Sequence, residues 1–216
     1  MKKLPLFLLG ILIVVFTFSC HNNPKPEVTS ETEDVANTLR GETFRAINPA
    51  EIPGNPIELI GDQWMLISAG NQEMYNTMTA SWGTLGELWS RPVATCYVRP
   101  SRHTFGFMEE NEYYTLCFFD EEYREVLNYC GTTSGRDHQD KNKAEVAGLT
   151  PQFTENGTVY FKEAYLVIEC KKLYADLFKK EYFTTNDILT KESSLYPEEQ
   201  DVHKFYIGEI VNCWMR

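Results

Sequence analysis

The chain has 216 residues, 43% of them apolar and 13% aromatic, which is room for one domain with a real core. That composition excludes a wholly disordered chain, and no collagen or heptad period runs through it. Its 20 Lys and Arg face 31 Asp and Glu, a formal charge of −11, so nucleic acid, which demands a basic footprint, is not an expected partner.

The first residues lie outside the fold. Lys2 and Lys3 precede an apolar run from Leu4 to Phe18, and Ser19 and Cys20 follow. A basic start, a short apolar stretch and a small residue at the cut form a secretory signal. The run is about 15 residues, short of the roughly 20 that a spanning helix needs. With Cys20 directly after Ser19, the segment resembles a bacterial lipoprotein signal, although Thr17 and Phe18 depart from its commoner residues. The resemblance implies removal of residues 1–19, lipidation of Cys20 and anchoring to a membrane of the cell envelope. An ordinary signal peptide with a chance cysteine is the alternative. Removal would delete two lysines and no acid, taking the formal charge from −11 to −13.

Residues 20–45 read as a tether. From His21 to about Arg40 the sequence is polar, with Pro24, Pro26 and the acidic stretch Glu31 to Asp34. It holds too little apolar content to pack, although part of it from Val35 onward could fold back as an edge strand. The domain itself spans 46–216. Five cysteines follow Cys20, at 96, 117, 130, 170 and 213. No zinc spacing occurs among them, and most sit in apolar runs, so neither a metal nor an obligatory disulfide is expected.

Within the domain, Trp64–Ala69, Pro92–Arg99, Tyr113–Phe119, Tyr160–Lys171 and Phe205–Trp214 read as strands, rich in β-branched and aromatic residues. Alternation places Thr115, Cys117 and Phe119 on one face and Leu116 and Phe118 on the other. Asp120 suits a helix N-terminus, with Tyr123, Val126, Leu127 and Cys130 at helical spacing and Gly131 as the stop. A second short helix is expected over Lys141–Ala147, and a loop over Ser193–Val202. Strands without regular helix alternation indicate a mainly β fold, an antiparallel barrel with helices outside.

No nucleophile elbow, phosphate-binding loop of the Walker type or dinucleotide fingerprint occurs. Three polar clusters punctuate the strands instead: Asn76–Gly83, Arg99–Thr104, and Thr133–Asp137 with Asp140 and Lys141. Arginine forks and hydroxyls match phosphate oxygens, so the second cluster is a plausible anion site. Small residues in the first would let a flat ring approach the backbone. Each cluster alone is also compatible with an ordinary turn.

Taken in order, these segments resemble the flavin reductase-like family of FMN-binding split barrels, nearest its flavoredoxin-like branch. The resemblance rests on Asn55-Pro56, M-T-A-S-W-G at 78–83, R-P-S-R-H-T at 99–104 and S-G-R-D at 134–137 with Lys141. It continues with G-L-T-P at 148–151, Leu166 to Cys170, and His203 ahead of Tyr206 to Glu209. It spans about three quarters of the chain.

The resemblance implies a six-stranded antiparallel Greek-key split barrel with a few peripheral helices, a homodimer, and FMN as cofactor. Thr79, Ala80, Ser81 and Trp82 would line the isoalloxazine. Arg99, Arg102 and Thr104, with His103 nearby, would take the phosphate or ribityl chain. Ser134, Gly135, Arg136 and Lys141 would complete the phosphate end, and His203 could approach the flavin from the last strands. In this sequence four residues separate Arg136 from Lys141, more than the family pattern has. The implied activity is oxidoreduction, with NAD(P)H or a redox protein as transient donor and no catalytic side chain named. A lipid-anchored binding module without flavin, or a structural envelope lipoprotein, are the competing functions.

Overall fold

A computed structural model describes residues 44–138, 141–195 and 201–216. The proposed signal, Cys20, nearly all of the tether and Asp140 lie outside the described residues.

Among the described residues ten strands occur: β1 (Arg45–Ala46), β2 (Met65–Gly70), β3 (Tyr75–Ala80), β4 (Gly83–Leu88), β5 (Arg91–Val98), β6 (Tyr113–Phe118), β7 (Pro151–Phe153), β8 (Val159–Phe161), β9 (Leu166–Leu177) and β10 (Lys204–Met215). Helices are α1 (Pro56–Gly61), α2 (His103–Glu110), α3 (Arg124–Thr132), α4 (Lys143–Val146) and α5 (Asn186–Leu195). Eight strands form one antiparallel sheet in the order β3-β2-β6-β9-β10-β5-β4, with β1 added on β10, and β7–β8 is a separate hairpin. The expected mainly β antiparallel class is therefore present, with eight strands rather than six in the sheet.

The two ends of the strand path are consecutive in the chain. Only Ser81 and Trp82 separate β3 from β4, so the sheet curls until its edges meet there. Gly83 marks the closure: a Cβ on it would lie 2.8 Å from the Thr95 carbonyl oxygen and 3.1 Å from Met65 Cε. A side chain would press on the paired strand β5 and on Met65 of β2.

Period-two alternation divides the core as the sequence indicates. Leu116 and Phe118 join Met65, Ile67, Ile168 and Tyr206 on one face. Cys117 and Phe119 join Leu66, Val167, the β8 residues, and Leu127 and Cys130 of α3 on the other. All five described cysteines are buried with free thiols, and burial pushes those of Cys96 and Cys117 up to about 12. They are packing side chains.

Several local expectations are corrected. Tyr160–Lys171 is not one strand but the end of β8 and the first half of β9, separated by a turn. Most of the Asn76–Gly83 cluster is itself strand β3, whose polar residues pair inside the protein. Ser68 Oγ donates to Thr77 Oγ1 at 2.8 Å, and Asn76 Nδ2 donates to Thr104 Oγ1 at 2.7 Å. His103 and Thr104 open helix α2 rather than a turn. A 3-10 turn (Glu121–Tyr123) follows Asp120, whose side chain makes no cap bond, and α3 begins only at Arg124. Gly131 does not stop α3, which continues to Thr132. Its role is close packing, since a Cβ there would come within 3.2 Å of Thr79 Cβ. The short helix is Lys143–Val146, within the expected 141–147. Residues 193–195 belong to α5 rather than a loop, and 196–200 lie outside the described residues.

Candidate functional site

The site lies where β3, the end of β5 and the start of β10 converge at the β3–β4 seam. Here β3 runs out into Ser81 and Trp82, and β5 delivers Tyr97 and then Arg99. On the segment leading into β10, the His203 and Trp82 rings lie 5.2 Å apart, tilted by 54°. These residues, with Met78, Thr79, Ala80 and Arg102, line a cleft of about 310 Å³. Burial and the nearby Arg99 push the His203 imidazole down to about 4, so it is neutral at neutral pH.

A second cleft of about 200 Å³ shares Met78, Arg99 and Arg102 with the first, so the two form one groove. It is lined in addition by Asn76, Ser101, His103, Thr104, Thr132, Thr133, Ser134, Gly135 and Lys143. Its polar groups come from β3, the turn after β5, α2, α3, the short turn after α3, and α4. Arg102 caps α2, and its Nη2 donates to the Gly131 carbonyl of α3 at 2.7 Å. Burial and Arg99 both work against the Arg102 charge, an arrangement that a bound anion would relieve. Ser134 caps the short turn Gly135–Asp137, its Oγ accepting from the Arg136 N–H. On α4, Lys143 is 3% exposed and donates to the carbonyls of Cys130 and Thr133, each at 2.7 Å. An ammonium carries three N–H donors, so a ligand can take the third. Burial lowers the Lys143 pKa to about 8, and burial with Arg136 and Lys143 lowers that of His103.

Asp201 holds the arginine turn in place. Its carboxylate accepts from the N–H and the hydroxyl of Ser101, both at 2.8 Å, and stands 3.5 Å from Arg99 Nη1. Among the described residues, no group of three or more His, Cys, Asp or Glu is placed to hold a metal.

Of the residues singled out in the sequence, Thr79, Ala80, Ser81, Trp82 and His203 gather in the first cleft. His103, Thr104, Ser134 and Gly135 gather in the second, and Arg99 and Arg102 bridge the two. Arg136 stands at the margin, its Nη1 donating to the Ser101 carbonyl at 3.0 Å. Lys141 does not join them: it is exposed and lines neither cleft. The lysine of this groove is Lys143, which the sequence reading missed. The signal was present, because Asn142 accepts a hydrogen bond from the Ala144 N–H as an N-cap and so fixes Lys143 at the first helical position. Asn76, Tyr97 and Ser101 were also missed as lining residues.

Residues 59–216 match the flavin reductase like domain family, and the chain belongs to that family. Among solved structures it is similar to flavoredoxin from Methanosarcina acetivorans, at 19% identity over 71% of this chain and 68% of that one, with TM-score 0.55. It is similar to an FMN-binding domain of flavin reductases-like enzyme from Shewanella baltica, at 16% identity over 80% and 77%, TM-score 0.57. An FMN-binding protein from Thermus thermophilus with bound p-hydroxybenzaldehyde aligns at 18% identity over 82% of each chain, TM-score 0.55. These likenesses bear on the fold. No curated protein matches the chain.

Proposed function

We propose that the groove binds FMN and that the protein is a flavin-dependent oxidoreductase of the flavin reductase or flavoredoxin kind. One observation carries the reading. In a chain of charge −11, Arg99, Arg102 and Lys143 converge with Ser101, Thr104 and Ser134 at one end of a single groove, while its other end is bounded by Trp82, Tyr97 and His203. A phosphorylated flat ring has that distribution of charge and shape. Gly135 adds to the fit, because a Cβ there would lie 2.2 Å from Asn76 Oδ1, so the cradle depends on its absence.

When bound, FMN supplies the redox chemistry, taking up and passing on electron pairs or single electrons. The chain's residues bind and orient it. Arg102 and Lys143 would hold the phosphate through charge-assisted hydrogen bonds, with the Thr104 and Ser134 hydroxyls beside them. Ala80 and Ser81 are small enough for a ring to approach the backbone at the seam. His203, neutral near pH 7, offers that ring a hydrogen-bonding edge without placing a charge beside it. The donor in this reading is NAD(P)H, aligned only transiently, or a redox protein.

The family resemblance adds the proposal of a homodimer, and the separate signal resemblance adds that of a lipid on Cys20 holding it to an envelope membrane. The polar composition of residues 20–45 suits a tether between that lipid and the domain. The first test is colour. Purified protein carrying flavin absorbs near ~450 nm, a property of the cofactor. Colourless protein that takes up no added FMN would overturn the assignment.

A further inference from the structure

A third cleft, of about 440 Å³, opens on the far side of Trp82. It shares Ser81, Trp82 and Tyr97 with the first cleft, so the two meet at the β3–β4 seam. Its remaining wall comes from α1 and β4, notably Ile57, Ile60, Thr84 and Leu85. None of the described residues lining it carries a charge. Arg99 and Arg102 line the adjoining first cleft rather than this one, and Lys143 stands at the far end of the groove.

The cleft is apolar and open. Ile57 is 79% exposed and Trp82 49% exposed, apolar surface that gains free energy when a ligand removes it from water. The polar groups are three hydroxyls, of Ser81, Thr84 and Tyr97. Burial raises the Tyr97 pKa, so its phenol stays protonated as a donor, and its ring stacks on Phe178 at 5.7 Å. Hydroxyl donors on an apolar wall suit a molecule with carbonyl acceptors and no charge. They do not suit a pyridine dinucleotide, whose diphosphate would lie here without a cation.

We propose that this cleft binds an uncharged quinone as the second reactant of the site, an assignment that rests on the flavin reading. The ring lies between Ile57, Leu85 and Trp82, and its carbonyl oxygens accept from the lining hydroxyls. In the reaction, the quinone takes up two electrons and two protons and becomes a hydroquinone. Bound FMN, reduced by the donor of the flavin reading, would supply those two electrons and two protons and return to its oxidised form.

Equilibrium dialysis of 1,4-naphthoquinone against the FMN-loaded protein tests it, with FMN affinity measured separately. Ile57→Glu places a carboxylate in the cleft on an exposed position at the start of a helix, where an acid is tolerated. It should weaken naphthoquinone at least tenfold and leave FMN affinity within twofold. Equal naphthoquinone binding by both proteins, no binding to a protein that holds FMN, or displacement by the non-reducing NAD+ would each overturn the proposal. Naphthoquinone binding that Ile57→Glu weakens in a protein taking up no FMN would instead sink the flavin reading and leave the cleft assigned.

Discussion

Gly135 and Asn76 approach so closely that the Asn76 carboxamide occupies the space of a missing side chain. A Cβ on Gly135 would come to 2.2 Å from Asn76 Oδ1 and 2.8 Å from His103 Cδ2. Asn76 cannot yield freely, because its Nδ2 is committed to Thr104 Oγ1 at 2.7 Å in the interior. The turn after α3 is thus pressed onto strand β3 and helix α2, which is what closes the cationic end of the groove. Gly135→Ala should therefore destabilise the fold by about 1–3 kcal/mol, the usual cost of overpacking, and weaken FMN at least tenfold. Thermal unfolding and flavin titration check the two parts. Unchanged FMN affinity would detach this turn from the phosphate end.

Lys143 makes the site sensitive to alkali. Its pKa falls from the ordinary lysine value of 10.5 to about 8 because burial penalises the charge. The folded value lies below the unfolded one, so protonated Lys143 costs stability below pH 8, and the cost is relieved as pH rises from about 8 towards 10.5. Binding of a phosphate runs the other way, since it needs the ammonium. FMN affinity should then decline above about pH 8, although the lysine's own contribution to stability rises there. Riboflavin, lacking the phosphate, should show no such decline. In Lys143→Met the FMN decline should disappear, with weaker binding at pH 7. A profile equally steep in the variant would assign the titration to another group.

How far the sequence disclosed this arrangement depended on what each residue packs against. The face assignments of β6 were readable because Leu116, Cys117 and Phe118 alternate between two apolar clusters. Strand β3 was not, because Asn76, Thr77 and Thr79 look like turn residues until their partners are known. Two of those partners are remote in sequence, Thr104 for Asn76 and the Leu127 carbonyl for Thr79, while Ser68 faces Thr77 across the β2–β3 pair. Lys141 and Lys143 differ by two positions and by nothing in chemistry. Only the Asn142 cap decides which of them starts the helix and faces the carbonyls of Cys130 and Thr133. The ordered motifs disclosed the family, and the hydrogen bonds that select individual residues needed three dimensions.

Truncation tests the proposed anchor separately from the domain. Phe44 packs edge-on against Tyr160 at 6.0 Å, and Arg45 and Ala46 pair with Met215 and Trp214 of β10. A chain starting at Glu42 keeps all of these contacts. It should bind FMN as the full chain does, and it should appear in the soluble fraction where the full chain sediments with membranes. Loss of FMN binding would place part of the preceding stretch in the domain. Membrane association retained by the truncated chain would remove Cys20 as its anchor.

The most discriminating substitution is Arg102→Ala. Arg102 lines both clefts, and its Nη2 bond to the Gly131 carbonyl at 2.7 Å holds the guanidinium between α2 and α3. A charge-assisted hydrogen bond to a phosphate contributes roughly 1.5–3 kcal/mol. Its loss should weaken FMN about 10- to 150-fold at 1.4 kcal/mol per decade. The Gly131 carbonyl also loses its partner, which affects both flavins alike through the fold. Riboflavin corrects for that part, because it meets the same altered groove without a phosphate. A large loss for FMN with a small one for riboflavin places Arg102 on the phosphate. Parallel losses would restrict Arg102 to joining the helices and leave Lys143 as the principal phosphate ligand.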